Sequence, residues 1–268
     1  VMSNLITIEG GDFTGKTSVV VPALGAILQT AGHDVLLSRE PGGTPAAEEI
    51  RRKIFARLEE GASSDELAIL FNEARRIHLD DVIQPFFTQH ENGIAVLDRY
   101  CDSTLVYQGM ESGVPIADLL RHHEEYAGNV FPDLTVILYF NTPDIGPIIR
   151  QRRLAEKKAD GRDSTVWDES SVETHAQRQQ NYLDLPKIYA EFGIPRNFAF
   201  VDSSQHPYDT IKGTVEAVQS IVPEKGDLLE TFEHLKEIGH WTYLDEVWQT
   251  QQKLRTESGL WNNPGARR

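Results

Sequence analysis

The chain has 268 residues, 40% of them hydrophobic, which suits one large domain or one domain with an appendage and excludes a disordered polymer. A formal charge of −15 excludes nucleic acid as the main partner, because nothing supplies broad phosphate neutralisation; a small anionic ligand stays open if basic residues cluster. No run of about 18 apolar residues occurs, so no membrane span is expected, no charged-then-apolar leader is read at the start, and the lone Cys101 excludes an internal disulfide framework and fits a reducing cytoplasm.

Leu5 to Glu9 is a short apolar run and reads as a buried strand. It leads into Gly10-Gly11-Asp12-Phe13-Thr14-Gly15-Lys16-Thr17, followed by a helix from Ser18 to Ala31 closed near Gly32. "HDVLLSRE" reads as a second strand, which "PGGTP" breaks. Asp65 to His90 carries apolar residues at helical spacing and is the longest helix candidate. Gly93–Arg99, Asp133–Phe140 and Asn197–Asp202 read as the third, fourth and fifth strands, with helical stretches between all of them. Strands alternating with helices imply crossover units and a parallel sheet, and near-continuous apolar strands imply a sheet covered on both faces. The fold expected is α/β: a three-layer α/β/α domain over residues 1–225 around a five-stranded parallel sheet. Arg150 to Arg178, rich in charge and poor in periodicity, reads as a mobile excursion. A helical extension follows over residues 226–268.

The glycine stretch fits G-x-x-x-x-G-K-[ST] in the right setting, a strand before it and a helix after. Backbone N–H groups around Gly10, Gly11, Asp12, Phe13, Thr14, Gly15 and Ser18 would form an anion nest at a positive helix end. Lys16 would reach the outer phosphates of a nucleoside triphosphate and the Thr17 hydroxyl would hold Mg²⁺. An acid and a bulky aromatic in such a loop, Asp12 and Phe13, ask for an account. Arg39 and Arg99 each fall at the carboxyl end of a strand, where an open parallel sheet binds ligands. Two arginines facing a phosphate loop suit phosphoryl transfer between two anions.

Four stretches in this order, "SREPGGTPAAEEIR", "LFNEARRIHLDDVI", "DRYCDSTLVYQG" and "PDLTVILYFNTP", resemble the thymidylate kinase family, over roughly Leu5 to Val222. The resemblance implies ATP as donor, dTMP as acceptor, Mg²⁺ as cofactor and a homodimer paired through long helices. By position it implies that Asp12 meets the acceptor's 3′-hydroxyl and that Arg39 and Arg99 grip its 5′-phosphate. Phe71 would stack on the base with Arg75 at its edge, Tyr107 would pack on the sugar, and Gln108, Ser103 and Thr104 would lie nearby. Asp98 would support Mg²⁺ through water. The plainer account of Phe71 is simple core, and of Tyr107 a buried aromatic. His78, His122 and His123 have no metal-ligand spacing and read as structural or solvated; Cys101 reads as inert.

One branch of the family carries an arginine in the glycine loop, and the other supplies arginines from a lid. Phe13 at the loop position therefore shifts the expected positive charge to Arg150, Arg152, Arg153 and Arg162, with Arg178 a weaker candidate; a solvated charged loop is the alternative. "DSSQHP", from Asp202, falls where the family's backbone cradles adenine. In the extension, Leu229, Phe232, Leu235, Ile238, Trp241, Leu244 and Trp248 are spaced as one helix face, read as docking on the domain; a partner-binding role is the alternative. Two other functional readings stay open: a kinase of this architecture with another acceptor, and a non-catalytic nucleotide-binding module.

Overall fold

The computed structural model describes residues 4–160 and 169–257. β1 (Leu5–Gly10) is buried at every position. Wide helical turns, Lys16–Val20, run into α1 (Val21–Thr30), and β2 (Val35–Arg39) follows. Thr44 caps α2 (Pro45–Glu59) by accepting from the Ala47 N–H, with proline at a position where no donor is needed. Ser63 caps α3 (Ser64–His78) in the same way. The chain stays helical through Leu79–Ile83 into α4 (Gln84–Gln89). The turns there widen, with the Gln84 N–H bonded to the Leu79 carbonyl, just before Pro85, which has no N–H to give. The long helix expected from 65 to 90 is thus present with a defect at its proline.

β3 (Ile94–Asp98) precedes α5 (Cys101–Thr104), the turns Leu105–Glu111 and α6 (Ile116–Ala127). β4 (Leu134–Tyr139), α7 (Gly146–Asp160), α8 (Val172–Glu191), β5 (Phe198–Asp202) and α9 (Pro207–Gln219) complete the alternation. The five strands pair in parallel in the order β2-β3-β1-β4-β5. The expected sheet is therefore found, each strand within two residues of its predicted bounds. The connection leaving β1 runs one way along the sheet and the one leaving β3 runs the other, which opens a crevice beyond their carboxyl ends.

Two expectations need correction. Residues 150–178 do not read as an excursion throughout: α7 carries the chain to Asp160 and α8 resumes at Val172, capped by Ser171. The extension is two helices, α10 (Leu228–Glu237) and α11 (Thr242–Glu257), and not one. Gly239, with φ +74°, turns the chain between them and leaves Ile238 exposed where an unbroken helix would have buried it. Phe232, Leu235, Trp241 and Leu244 join one core with Ile6, Val136 and Leu138 of the sheet, so the extension docks on the domain as expected. No helix among the described residues is long and apolar enough to cross a membrane.

Candidate active site

The glycine loop crosses the carboxyl end of the central strand. Gly10 has φ +134°, and a Cβ there would come within 2.4 Å of the Leu138 carbonyl oxygen, so only glycine lets β1 turn this close to β4. Phe13 takes a left-handed conformation, φ +67°, unusual for an aromatic, and is held in it by packing on Phe140, Ile145 and Ile149. Lys16 is buried, and its ammonium donates to the carbonyls of Gly10 at 2.9 Å and Gly11 at 2.7 Å. Burial, then the nearby Arg99, brings its pKa down to about 8. Thr17 and Ser18 are exposed at the crevice, and the Thr17 hydroxyl donates to the Asp98 carboxylate.

Asp12 turns away from the loop's own amides. One of its oxygens accepts from Arg99 at 2.8 Å, the other from Arg178 at 2.7 Å, and the Tyr107 hydroxyl lies 3.3 Å from both. Burial alone would raise this carboxyl, but Arg99, Lys16 and Arg178 hold it below its usual range. Both guanidiniums lie over the Tyr107 ring, Arg178 at 4.4 Å and Arg99 at 5.4 Å. Arg99 reaches this place through a left-handed backbone, φ +68°, directly after β3. It also donates to Ser103 and to Tyr182, at 3.1 and 2.8 Å. Ser103 in turn donates to Glu9 at 2.7 Å, and Glu9 accepts the Tyr100 N–H at 2.7 Å. Burial, then Asp102, raises the Glu9 carboxyl to about 7.

The remaining expected residues fall as follows. Arg39 is half exposed, paired with Glu48 at 2.9 Å, and lines an open cleft of about 600 Å³ with Thr17, Ser38, Thr44 and Asp98. Phe71 packs beside Ile54, Leu67 and Leu70. Arg75, one turn on, is wholly buried; it donates to Glu40 at 2.9 Å, Asn72 at 2.7 Å and Thr104 at 3.1 Å. Gln108 is buried. Arg150 is exposed on α7. Arg153 lies over the Phe13 ring at 5.5 Å and donates to the Ser170 carbonyl at 2.9 Å. Arg162 lies outside the described residues. His78 is buried between Ser38 and Glu40, and Cys101 is buried with its thiol pushed up to about 12, both structural as read.

Arg178, the weaker candidate for the lid's positive charge, does not face solvent. It is wholly buried, and bridges Asp12, through one bond at 2.7 Å, to Glu111, through a pair of bonds at 2.9 and 2.8 Å. Sequence reasoning missed Glu9, Glu111 and Tyr182. A lone acid in an apolar strand was a visible signal for Glu9; nothing marks the other two. It also missed that Arg152 ties the loop to the turn after β5, donating to the carbonyls of Phe13, at 2.7 Å, and Ser203.

A parallel sheet with a glycine-rich loop on its central strand, a buried lysine and a helix opening behind them define a P-loop nucleotide-binding protein, here with a second cluster of cations beside the loop. A sequence profile described as Thymidylate kinase matches residues 8–195. The thymidylate kinase of Symbiobacterium thermophilum is 33% identical over 224 residues, 84% of this chain and 96% of that protein. That of Staphylococcus haemolyticus is 31% identical, covering 81% and 98%, and that of Syntrophotalea carbinolica 34%, covering 69% and 83%. The chain belongs to the thymidylate kinase family.

Proposed function

We propose that the chain transfers the γ-phosphoryl group of ATP to dTMP, giving ADP and dTDP. The observation that carries this reading is the Asp12 carboxylate held between Arg99 and Arg178, beside the phosphate loop and separate from its amides. A loop that binds only a triphosphate has no use for a second cationic cluster there; a two-substrate enzyme has. Membership of the family gives the substrates.

In this reading an oxygen of the dTMP phosphate attacks the γ-phosphorus directly, and no covalent enzyme intermediate forms. The loop amides and Lys16 hold the donor; a lysine with pKa near 8 still carries its charge at neutral pH, and a phosphate neighbour raises it further. Arg99 and Arg39 receive the acceptor phosphate, and Asp12 accepts from the 3′-hydroxyl. Phe71, Arg75, Ser103, Thr104, Tyr107 and Gln108 shape the remaining acceptor space. Arg153, with Arg150 and Arg162, neutralises charge on the group in flight, which is where most of the catalysis of phosphoryl transfer resides. The Thr17 hydroxyl and Asp98 carboxylate, hydrogen-bonded to each other at the crevice, are hard oxygen donors of the kind that hold Mg²⁺ together with phosphates. When bound, Mg²⁺ offsets charge on the donor's outer phosphates. Residues 1–225 serve as the kinase domain with 150–178 as its lid, residues 226–268 as an extension, and the chain works as a cytoplasmic homodimer. The lone buried Cys101 supports the location and the family resemblance supports the dimer, which light scattering of the purified chain tests.

ADP release from ATP, measured with dTMP, dUMP, dAMP, dGMP and thymidine in parallel, tests the assignment. The expected result is a clear preference for dTMP. A dTMP rate no higher than the others would sink it.

A further inference from the structure

The phosphate loop divides the crevice. The cluster around Asp12, Arg99 and Arg39 lies toward β3 and β2, so a donor gripped by its phosphates extends its nucleoside toward β4 and β5. The backbone on that side is held by Arg152 of α7. Its guanidinium lies over the Phe140 ring at 5.1 Å and joins two carbonyls, Phe13 of the loop and Ser203 of the turn after β5. The same turn is pinned to β4 by the Ser203 N–H, bonded to the Tyr139 carbonyl at 2.8 Å.

The far end of this turn is held by the extension. His206 opens α9, its Nδ1 accepting the Tyr208 N–H at 3.2 Å and its ring stacked on Tyr208 with centroids 4.8 Å apart. From α11, Trp248 meets the His206 ring edge-on at 5.2 Å, and Asp245 faces both partners. One carboxylate oxygen of Asp245 lies 3.4 Å from His206 Nε2, and the other accepts from the Tyr208 hydroxyl at 3.1 Å. α11 rests on both α7 and α9, so one helix touches the two elements that carry Arg152 and the Ser203 turn. It is anchored there by Trp241 and Leu244, which are buried in the main core. The matched family profile ends at residue 195, so α9, α10 and α11 all lie beyond it.

We propose that the extension is a brace for the donor side of the site, and that Asp245 and Trp248 are positioning residues for ATP. They act through His206 and the Ser203 turn on Arg152, and through Arg152 on the Phe13 carbonyl of the phosphate loop. Asp245 is half exposed, so the attraction of its charge contributes little; what matters is the orientation it imposes on two rings. The proposal rests on ATP being the donor.

The test uses the full-length chain and calorimetric titration with ATP and, separately, with dTMP. Trp248→Ala and Asp245→Ala are expected to weaken ATP binding about fivefold or more, since small displacements of positioning groups are costly. Their dTMP affinity should stay within about twofold of wild type, as expected of a site on the other side of the loop. Tyr243→Ala, on an exposed part of the same helix, should change neither. Arg152→Ala should reproduce the ATP loss, and Arg152→Ala with Trp248→Ala should cost little more than either alone. Unchanged ATP affinity, parallel losses for ATP and dTMP, or additive effects of Arg152→Ala and Trp248→Ala would each overturn the brace. If Trp248→Ala fails to fold, Asp245→Ala, at a half-exposed position, decides. A wild type that binds ATP but does not phosphorylate dTMP would defeat the functional assignment alone, because the ATP titrations do not depend on turnover.

Discussion

Replacing Arg99 by alanine separates the two halves of the site. In the structure its guanidinium faces the Asp12 side chain, Ser103 and Tyr182, and meets the backbone of the phosphate loop at the Gly10 carbonyl, at a long 3.4 Å. A guanidinium gripping a phosphate contributes up to two charge-assisted hydrogen bonds, each worth about 1.5–3 kcal/mol. Their loss corresponds to about 3–6 kcal/mol, or roughly 10²- to 10⁴-fold in kcat/KM for dTMP. Asp12 keeps Arg178 at 2.7 Å, so the substitution leaves no orphaned buried acid, and the variant should fold with a stability loss of only about 1 kcal/mol. Steady-state kinetics at saturating ATP, ATP titration and urea unfolding give the three numbers. An ATP affinity falling as far as kcat/KM for dTMP would refute the assignment of Arg99 to the acceptor, and so would a dTMP loss below about tenfold.

Other perturbations test other parts. Burial raises the Glu9 carboxyl from 4.5 to about 7, so the folded state holds a proton that the unfolded chain releases in this window, and stability should fall as pH rises from about 4.5 to about 7. Glu9→Gln should flatten this profile and gain up to about 3 kcal/mol at pH 8, read by urea unfolding across pH; a variant with the wild-type slope would remove Glu9 as its source. Arg153→Ala and Arg162→Ala should each lower kcat more than ATP affinity, and normal turnover in both would discard the lid arginines. Trp241, 2% exposed and stacked on Phe232, anchors the extension. Trp241→Ala should cost about 3–5 kcal/mol in urea unfolding, and a cost below about 1 kcal/mol would mean that the extension is not part of the core.

The sheet was legible because each strand is a short apolar run bounded by glycine, proline or charge; the expected burial on both faces holds for β1, β3 and β4, while the edge strands β2 and β5 are half-buried. The phosphate loop was legible because its geometry demands particular residues at fixed spacing: Gly10 must lack a Cβ, and Lys16 must follow Gly15. The two-helix form of the extension was less so, since Ile238 keeps the apolar spacing while Gly239 breaks the backbone under it. The burial of Arg178 was not legible, for a different reason. Among "KKADGR" and "QRQQ" it looks like one more solvated cation, and only the fold brings Asp12 and Glu111, 166 and 67 residues away, to its two sides. Local pattern reports burial and turns; it carries no information about which charges meet across the chain. Phe13 lies between these cases. The sequence said that a cation was missing from the loop, and the structure adds that Arg153 rests on the aromatic face standing in its place.

The junction at Asp12 has a further consequence for how the protein is made. It is closed by contacts spanning 87 residues to Arg99 and 166 to Arg178, so it joins the loop after β1, the residue after β3 and the helix α8. Contacts of such range carry the largest loop-closure entropy and form late relative to local helices. The central sheet shares this range, since Leu5 pairs with Ala95 and Ile6 with Leu134, so the junction and the sheet around it close over the same long loops. The ability to recognise a nucleotide is therefore acquired only with these long-range contacts, and a nucleotide present during refolding rewards only chains that have completed them.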